Sequence, residues 1–149
     1  MESLDSVIDS LRIALGDRLI SIVLFGSRAR GDATPDSDWD LFVIARDLPE
    51  HYFDRHLFFV HALPVEARSQ ISVLAKTPQE IDKRISPLQL DIAIDGKILY
   101  DPQQYAFEKI SFIKNLMKQV GLYREHTEAG DQWHWEKQPT GPWTLEWSN

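Results

Sequence analysis

The run Leu19–Phe25, LISIVLF, constrains the fold more than any other stretch of the chain. A nearly continuous apolar run of this kind is the signature of a strand buried on both faces, so other elements must pack above and below it. Ahead of it, Leu4, Val7, Ile8, Leu11 and Leu15 recur at helical spacing, and Gly16-Asp17 stops that helix. Behind it, Asp38 to Ala45 reads as a second strand, Pro49 to about Ala62 as a helix with Phe53, Leu57 and Val60 on one face, and Ser69 to Ala75 as a third strand. Thr77-Pro78-Gln79-Glu80 has a capping residue, a proline at the first helical position and a glutamate at the third, which starts a helix. A break is expected near Ser86-Pro87 and an end near Asp95-Gly96. Lys97 to Tyr100 adds a short strand, and Asp101-Pro102 opens a last long helix whose Ala106, Ile110, Ile113, Met117 and Val120 share a face before Gly121 ends it. The expected fold is α/β (α+β): a small mixed β-sheet flanked by helices.

The chain of 149 residues, 43% apolar, fits one globular core unit, expected over residues 1–120, with a C-terminal extension over 121–149. In that extension Trp133 and Trp135 alternate with polar residues, as do Trp143, Leu145 and Trp147, around a Pro-Thr-Gly-Pro turn. This predicts a Trp-rich β-hairpin. Packing on the chain's own core is its ordinary role; an exposed aromatic surface for a partner or a second copy of the chain is the functional one.

Composition narrows the function. A formal net charge of −7 argues against long-range attraction to bulk nucleic acid or anionic lipid, while a small polyanion such as a nucleotide is admissible if cations bridge it. Cysteine is absent, which excludes thiol chemistry and suits a cytoplasmic location. The first residues lack a basic flank before an apolar core, and no apolar run reaches the roughly 18 to 20 residues that span a bilayer.

The chemistry is concentrated in Leu24 to Leu41, LFGSRARGDATPDSDWDL. Residues two apart on a strand face the same side, so Asp38 and Asp40 present two carboxylates together. Two like charges that close need a cation, and oxygen ligands favour Mg²⁺ or Mn²⁺, which take remaining ligands from water and substrate phosphates. Upstream, Gly26 allows close backbone approach and Ser27 offers a hydroxyl and an amide. Ser27 to Gly31 can form a short helical turn whose amino end points at an anion. A phosphate cradle facing a metal pair is the arrangement that phosphoryl or nucleotidyl transfer requires.

This stretch closely resembles the Gly-Ser, Ala-Arg-Gly, Ser-Asp-x-Asp-Leu signature of the minimal nucleotidyltransferases, a branch of the DNA polymerase beta-like superfamily. The resemblance extends to the preceding strand and, more loosely, to SPLQLDIAIDGKILYD, and so covers most of residues 1 to about 101. It implies that Gly26 and Ser27 bind the nucleotide's β and γ phosphates and that Asp38 and Asp40 hold the divalent ions, with Arg28 and Arg30 as candidates to steady a phosphate oxygen. It also implies transfer of AMP from ATP to a hydroxyl. Many relatives are paired with HEPN-domain toxins and act as antitoxins by adding AMP units to a tyrosine of the toxin.

Active members of that family carry a third carboxylate on the next strand, where it helps bind the catalytic metal and can accept the hydroxyl proton. Here that strand reads ARSQISVLAK and has no acid. Glu66, just before it, is the expected substitute and Asp91 the second candidate. His51, His56 and His61 recur every five residues, which scatters them around a helix rather than pairing them. Three readings follow: an antitoxin nucleotidyltransferase, a small-molecule transferase of the antibiotic-modifying kind, and a catalytically weak binding module acting through its partner.

Overall fold

The computed structural model describes residues 4–137, 139–141 and 144–147. Its elements, in chain order, are α1 (Leu4–Leu15), β1 (Leu19–Phe25), α2 (Ser27–Arg30), β2 (Trp39–Ala45), α3 (Tyr52–Ala62), β3 (Ile71–Lys76), α4 (Pro78–Lys83), α5 (Pro87–Asp95), β4 (Lys97–Tyr100), α6 (Tyr105–Val120), β5 (Leu122–Thr127) and β6 (Gly130–Trp135). One four-stranded sheet has the order β3-β2-β1-β4, and β5 pairs with β6 in a separate hairpin. β1 is antiparallel to β2 and β4, whereas β2 and β3 run parallel. The mixed sheet flanked by helices is therefore the expected one.

β1 is buried along almost its whole length because both faces are covered. On one side Ile22, Leu24, Leu41 and Val43 pack with Val7, Leu11 and Leu15 of α1 and Phe59 of α3. On the other, Val23, Phe42 and Ile44 pack with Ile81, Ile92 and Ala106 from α4, α5 and α6. Period-two alternation assigns the strand residues to these cores, except at the start of β1, where an irregularity between Leu19 and Ser21 shifts the phase and puts Ile20 with Val23. The capping motif at Thr77 is complete, with Thr77 Oγ1 accepting from the Glu80 amide and the Glu80 carboxylate accepting from the Thr77 amide. Ser86 and Gln89 repeat the device at the start of α5, so the break near Pro87 is a clean restart rather than a kink.

Two expectations are corrected. α3 does not bury Phe53, Leu57 and Val60: Phe59 is buried with Phe58, Ala62 and Leu63 packed inward, while Phe53 is 67% exposed and Tyr52 82% exposed. The helix contains apolar residues on more than one face, and only its docking on α1 selects which face turns inward. The hairpin is also displaced. Residues 130–135 form a strand, but they pair with Leu122–Thr127 across a two-residue turn at Glu128-Ala129, and the described residues 144–147 form no strand. Gly121 and Gly130, at φ +71° and +110°, adopt backbone conformations that L side chains rarely take, which turns the chain sharply out of α6 and then back on itself.

Beyond the hairpin, Leu145 is buried and Trp147 packs beside Phe112, donates its indole N–H to the Ile81 carbonyl at 2.7 Å and lies under Lys109 at 4.3 Å. Trp133 and Trp135 are half-buried against the same cluster. Trp143 lies outside the described residues. No described helix is long and apolar enough to cross a membrane.

Candidate nucleotidyl-transfer site

The site forms where β1 ends and β2 begins. Phe25 pairs with Asp40, so the last residue of one strand carries the carboxylate of the other beside it. Gly26 then turns the chain at φ +72°, and a Cβ there would sit on Asp40 Oδ2. Glycine is required at 26 both by conformation and by the approach of that carboxylate. The Gly26 carbonyl accepts from the amides of Ala29 and Arg30, each at 3.0 Å, which winds Ser27–Arg30 into a helical turn closed by Gly31 at φ +89°. The Ser27 and Arg28 amides open that turn and have no partner inside it. Gly26 therefore stands against Asp40, and Ser27 follows it as the first residue of α2.

Asp38 is exposed and Asp40 half-buried. Burial raises the Asp40 pKa, the neighbouring Asp38 charge raises it further, and Arg30 opposes both without cancelling them. The Asp40 carboxylate thus holds negative charge that its surroundings do not fully neutralise, with Asp38 exposed beside it. That is the donor chemistry a divalent cation fits.

The two arginines differ. Arg28 donates from Nε and Nη2 to the Ser37 carbonyl at 3.3 and 3.0 Å, reaches the Pro35 carbonyl at 3.4 Å and lies 4.6 Å over the Trp39 ring. It braces the loop that carries Asp38. Arg30 pairs with Asp32 at 3.3 Å while its charge acts on Asp40, which makes it the guanidinium closer to the carboxylates in effect.

The third-acid position is a serine. In the parallel ladder Asp40 is opposite Ser72, and both face the α4–α6 side of the sheet. Glu66 is exposed in a short 3-10 turn, Val65–Ala67, and the residues that share a groove with Asp38 from that segment are Arg68 and Ser69 instead. Asp91 is paired with Arg124 at 3.1 Å. Among the described residues, no three acidic or histidine side chains gather as a metal site. His51, His56 and His61 are all exposed.

Sequence reasoning missed the Arg124 cluster. From the hairpin, this guanidinium meets Asp95 at 2.6 Å, Asp91 at 3.1 Å and Asp131 at 3.5 Å, and these contacts fasten β5 and β6 to α5. Hydrogen bonding from Asp95 leads the effects that raise the Arg124 pKa. His126 Nδ1 donates to the Asp131 carboxylate at 2.7 Å. A lone arginine in LYREHT has no pattern that would mark it in advance.

Comparison with known proteins decides the family. The model of the nucleotidyltransferase domain matches residues 5–120. The chain belongs to the nucleotidyltransferase domain family. A relative from Methanocaldococcus jannaschii, named "Putative protein adenylyltransferase", is 36% identical over 125 residues, covering 78% of this chain and 82% of the relative. A chain of a toxin–antitoxin crystal structure with AMP-PNP superimposes with a TM-score of 0.54 at 24% identity, covering 79% of this chain and 92% of that one. A chain of a crystal structure of the toxin–antitoxin pair MntA–HpeT superimposes with a TM-score of 0.53 at 24% identity, covering 80% and 92%. At that identity the two structures establish the fold. Family membership makes the protein a nucleotidyltransferase, an enzyme acting on a nucleotide substrate.

Proposed function

We propose that this nucleotidyltransferase transfers AMP from ATP to a hydroxyl of a partner protein, as the antitoxin of a HEPN-type toxin, with Mg²⁺ or Mn²⁺ held by Asp38 and Asp40. The observation that carries the reading is the seating of Asp40 against Gly26, at the residue from which the turn Ser27–Arg30 starts. The name of the M. jannaschii relative supports an adenylyl group and a protein acceptor. The signature stretch and the toxin–antitoxin origin of the superimposed structures support the antitoxin assignment.

In this reading the Ser27 hydroxyl and the opening amides of α2 hold the β and γ phosphates, and Gly26 keeps the backbone clear for them. Arg30 adds positive charge beside the carboxylates. The acceptor oxygen bonds to the α-phosphorus as the bond to the bridging oxygen breaks, and pyrophosphate leaves. A bound divalent ion supplies charge neutralisation and alignment of the attacking and leaving oxygens. The acceptor hydroxyl must also lose a proton. Glu66 is the last acid before β3 in the sequence, whereas Ser72 occupies the position opposite Asp40.

Calorimetry with ATP tests the site. Mg²⁺ is expected to strengthen ATP binding, and Asp38→Asn together with Asp40→Asn to remove that gain while preserving the fold. Equal ATP affinity with and without metal in the unmutated protein rules the assignment out. The serine opposite Asp40 favours a second reading, a slow or inactive nucleotide-binding module that acts through its partner; normal metal-dependent binding without transfer to any protein acceptor is its signature.

A further inference from the structure

β3 is an edge strand, and its outer side opens into a groove of about 510 Å³ that Asp38 also lines. All six residues from Ile71 to Lys76 border this groove, although their side chains alternate between opposite faces of the sheet. A cavity touches every residue of a strand only when it runs along the strand's edge. Tyr52, Arg55 and His56 of α3 form its opposite wall, and Glu80 of α4 closes its far end.

The phase of the ladder shows which backbone groups face the groove. The Trp39 amide donates to the Gln70 carbonyl at 2.8 Å. In a parallel pair this directs Gln70, Ser72, Leu74 and Lys76 toward β2 and turns the N–H and C=O of Ile71, Val73 and Ala75 outward. An independent contact agrees, because Arg55 Nη1 reaches the Ala75 carbonyl from the outer side at 3.1 Å. Arg55 is in turn held by Glu80 at 2.8 Å. The outward groups of Ile71 and Val73 and the Ala75 amide have no partner among the described residues. They span four residue steps, roughly 13 Å.

Beyond the Arg55–Glu80 pair, the groove is lined by two cations, Arg68 and Lys76, and two acids, Asp38 and Glu50. Arg68 lies at the Asp38 end and Lys76 at the Glu80 end, and neither has an ion-pair partner among the described residues. Alongside, Tyr52 and Phe53 leave aromatic surface exposed on α3.

We propose that the acceptor of the transfer is an extended, acidic polypeptide segment that adds to the sheet as a strand against β3, with its hydroxyl side chain delivered to Asp38 and Asp40. Main-chain bonds to Ile71, Val73 and Ala75 set the register, and Arg68 and Lys76 select acidic residues on either side of the hydroxyl. The free backbone groups recur every second residue, a spacing that a strand matches along its whole length. The proposal deepens the protein-acceptor reading above and rests on it.

Two measurements separate the failure of this proposal from the failure of that reading. The probe is a blocked eight-residue peptide of alternating glutamate and valine with one central tyrosine, and tyrosine amide is the small control. NMR of the full chain is expected to show peptide-dependent shifts and slowed exchange at the Ile71, Val73 and Ala75 amides. Val73→Pro, which deletes an outward N–H while leaving the bonds to β2 in place, and Lys76→Glu should each weaken peptide binding at least about tenfold with ATP affinity unchanged. AMP transfer from Mg-ATP should be at least about tenfold faster to the peptide than to tyrosine amide.

Absence of peptide shifts at these amides overturns the edge-strand proposal whether or not AMP is transferred. So does undiminished binding by both variants, equal transfer to peptide and amide, or perturbation of the same amides only by concentration-dependent self-association in sedimentation. Loss of all transfer with the shifts intact sinks the adenylyl-transfer reading and leaves the peptide groove standing.

Discussion

Two groups of aspartates in this molecule are treated in opposite ways. Asp91, Asp95 and Asp131 surround the single guanidinium of Arg124 at 2.6 to 3.5 Å, and the cluster fastens the hairpin to α5. Asp38 and Asp40 stand one residue apart at the mouth of the sheet, and at Asp40 the charge of Arg30 does not cancel the effects of burial and of Asp38. The consequences for proton affinity have opposite sign. Asp131 titrates below the ordinary aspartate range, first because His126 hydrogen-bonds to it and then because Arg124 and Arg30 add positive charge. Asp40 titrates above that range, first through burial and then through Asp38. Neutralised carboxylates hold structure together; carboxylates left in excess have the donor chemistry that suits a cation.

The largest break in this comparison comes from Asp40→Asn. Transfer should fall by about 10² or more, since stabilisation of charge at the reacting phosphate goes with it. The same substitution should raise the melting temperature of the metal-free protein, because it removes a half-buried charge beside a like one. A variant that is both inactive and less stable without metal would contradict the charge-excess account.

Ser72→Asp moves the open pair one step toward a three-acid cluster, this time without an arginine bonded to all three. Placed opposite Asp40 in the ladder, it is expected to raise the transfer rate by about tenfold, below the full contribution of a well-placed general base. Glu66→Gln, at an exposed residue outside the groove lining, should leave single-turnover rates unchanged. A loss of about 10² in that variant would return the proton-accepting role to Glu66.

Arg124→Leu turns the closed cluster into an open one. Three carboxylates lose their shared cation, and the melting temperature should drop by roughly 3 to 6 °C, a figure kept modest because Asp91 and Asp131 are partly solvated. Backbone hydrogen exchange should accelerate in β5 and β6 more than in β1 or β2. Uniform acceleration would show that the hairpin is not fastened separately by this residue.

The smallest effect is the pH dependence of the Asp40→Asn advantage. An aspartate whose folded pKa is raised costs nothing below its unfolded pKa, near 4, and its cost appears as pH rises through the folded value. In chelator, therefore, the melting temperatures of variant and parent should coincide below about pH 4 and diverge by neutral pH. Asp131 acts in the other direction: the stability it contributes above its unfolded pKa is lost as pH falls through its lowered folded value. A gap that persisted at pH 3 would remove Asp40 ionisation as its cause.

Local pattern determined much of this protein. LISIVLF could only be a covered strand, the Thr77 and Ser86 capping boxes start helices by bonds within four residues, and Gly26-Ser27 and Asp38-x-Asp40 lie close enough in sequence that one strand-turn-strand unit brings them together. Each of these depends on interactions whose partners are neighbours along the chain. Tertiary structure decided what depends on distant partners. α3 contains more apolar residues than one face can hold, and docking on α1 chose Phe59 and Leu63 over Phe53. The strand at 130–135 could pair on either side, and the turn after Thr127 chose Leu122–Thr127 over the Pro-rich tail. Arg124 finds Asp91 and Asp95 from about thirty residues away. The register of β2 on β3, which sets Ser72 opposite Asp40 and opens the outer edge from Ile71 to Ala75, is a long-range pairing that no short stretch of sequence encodes.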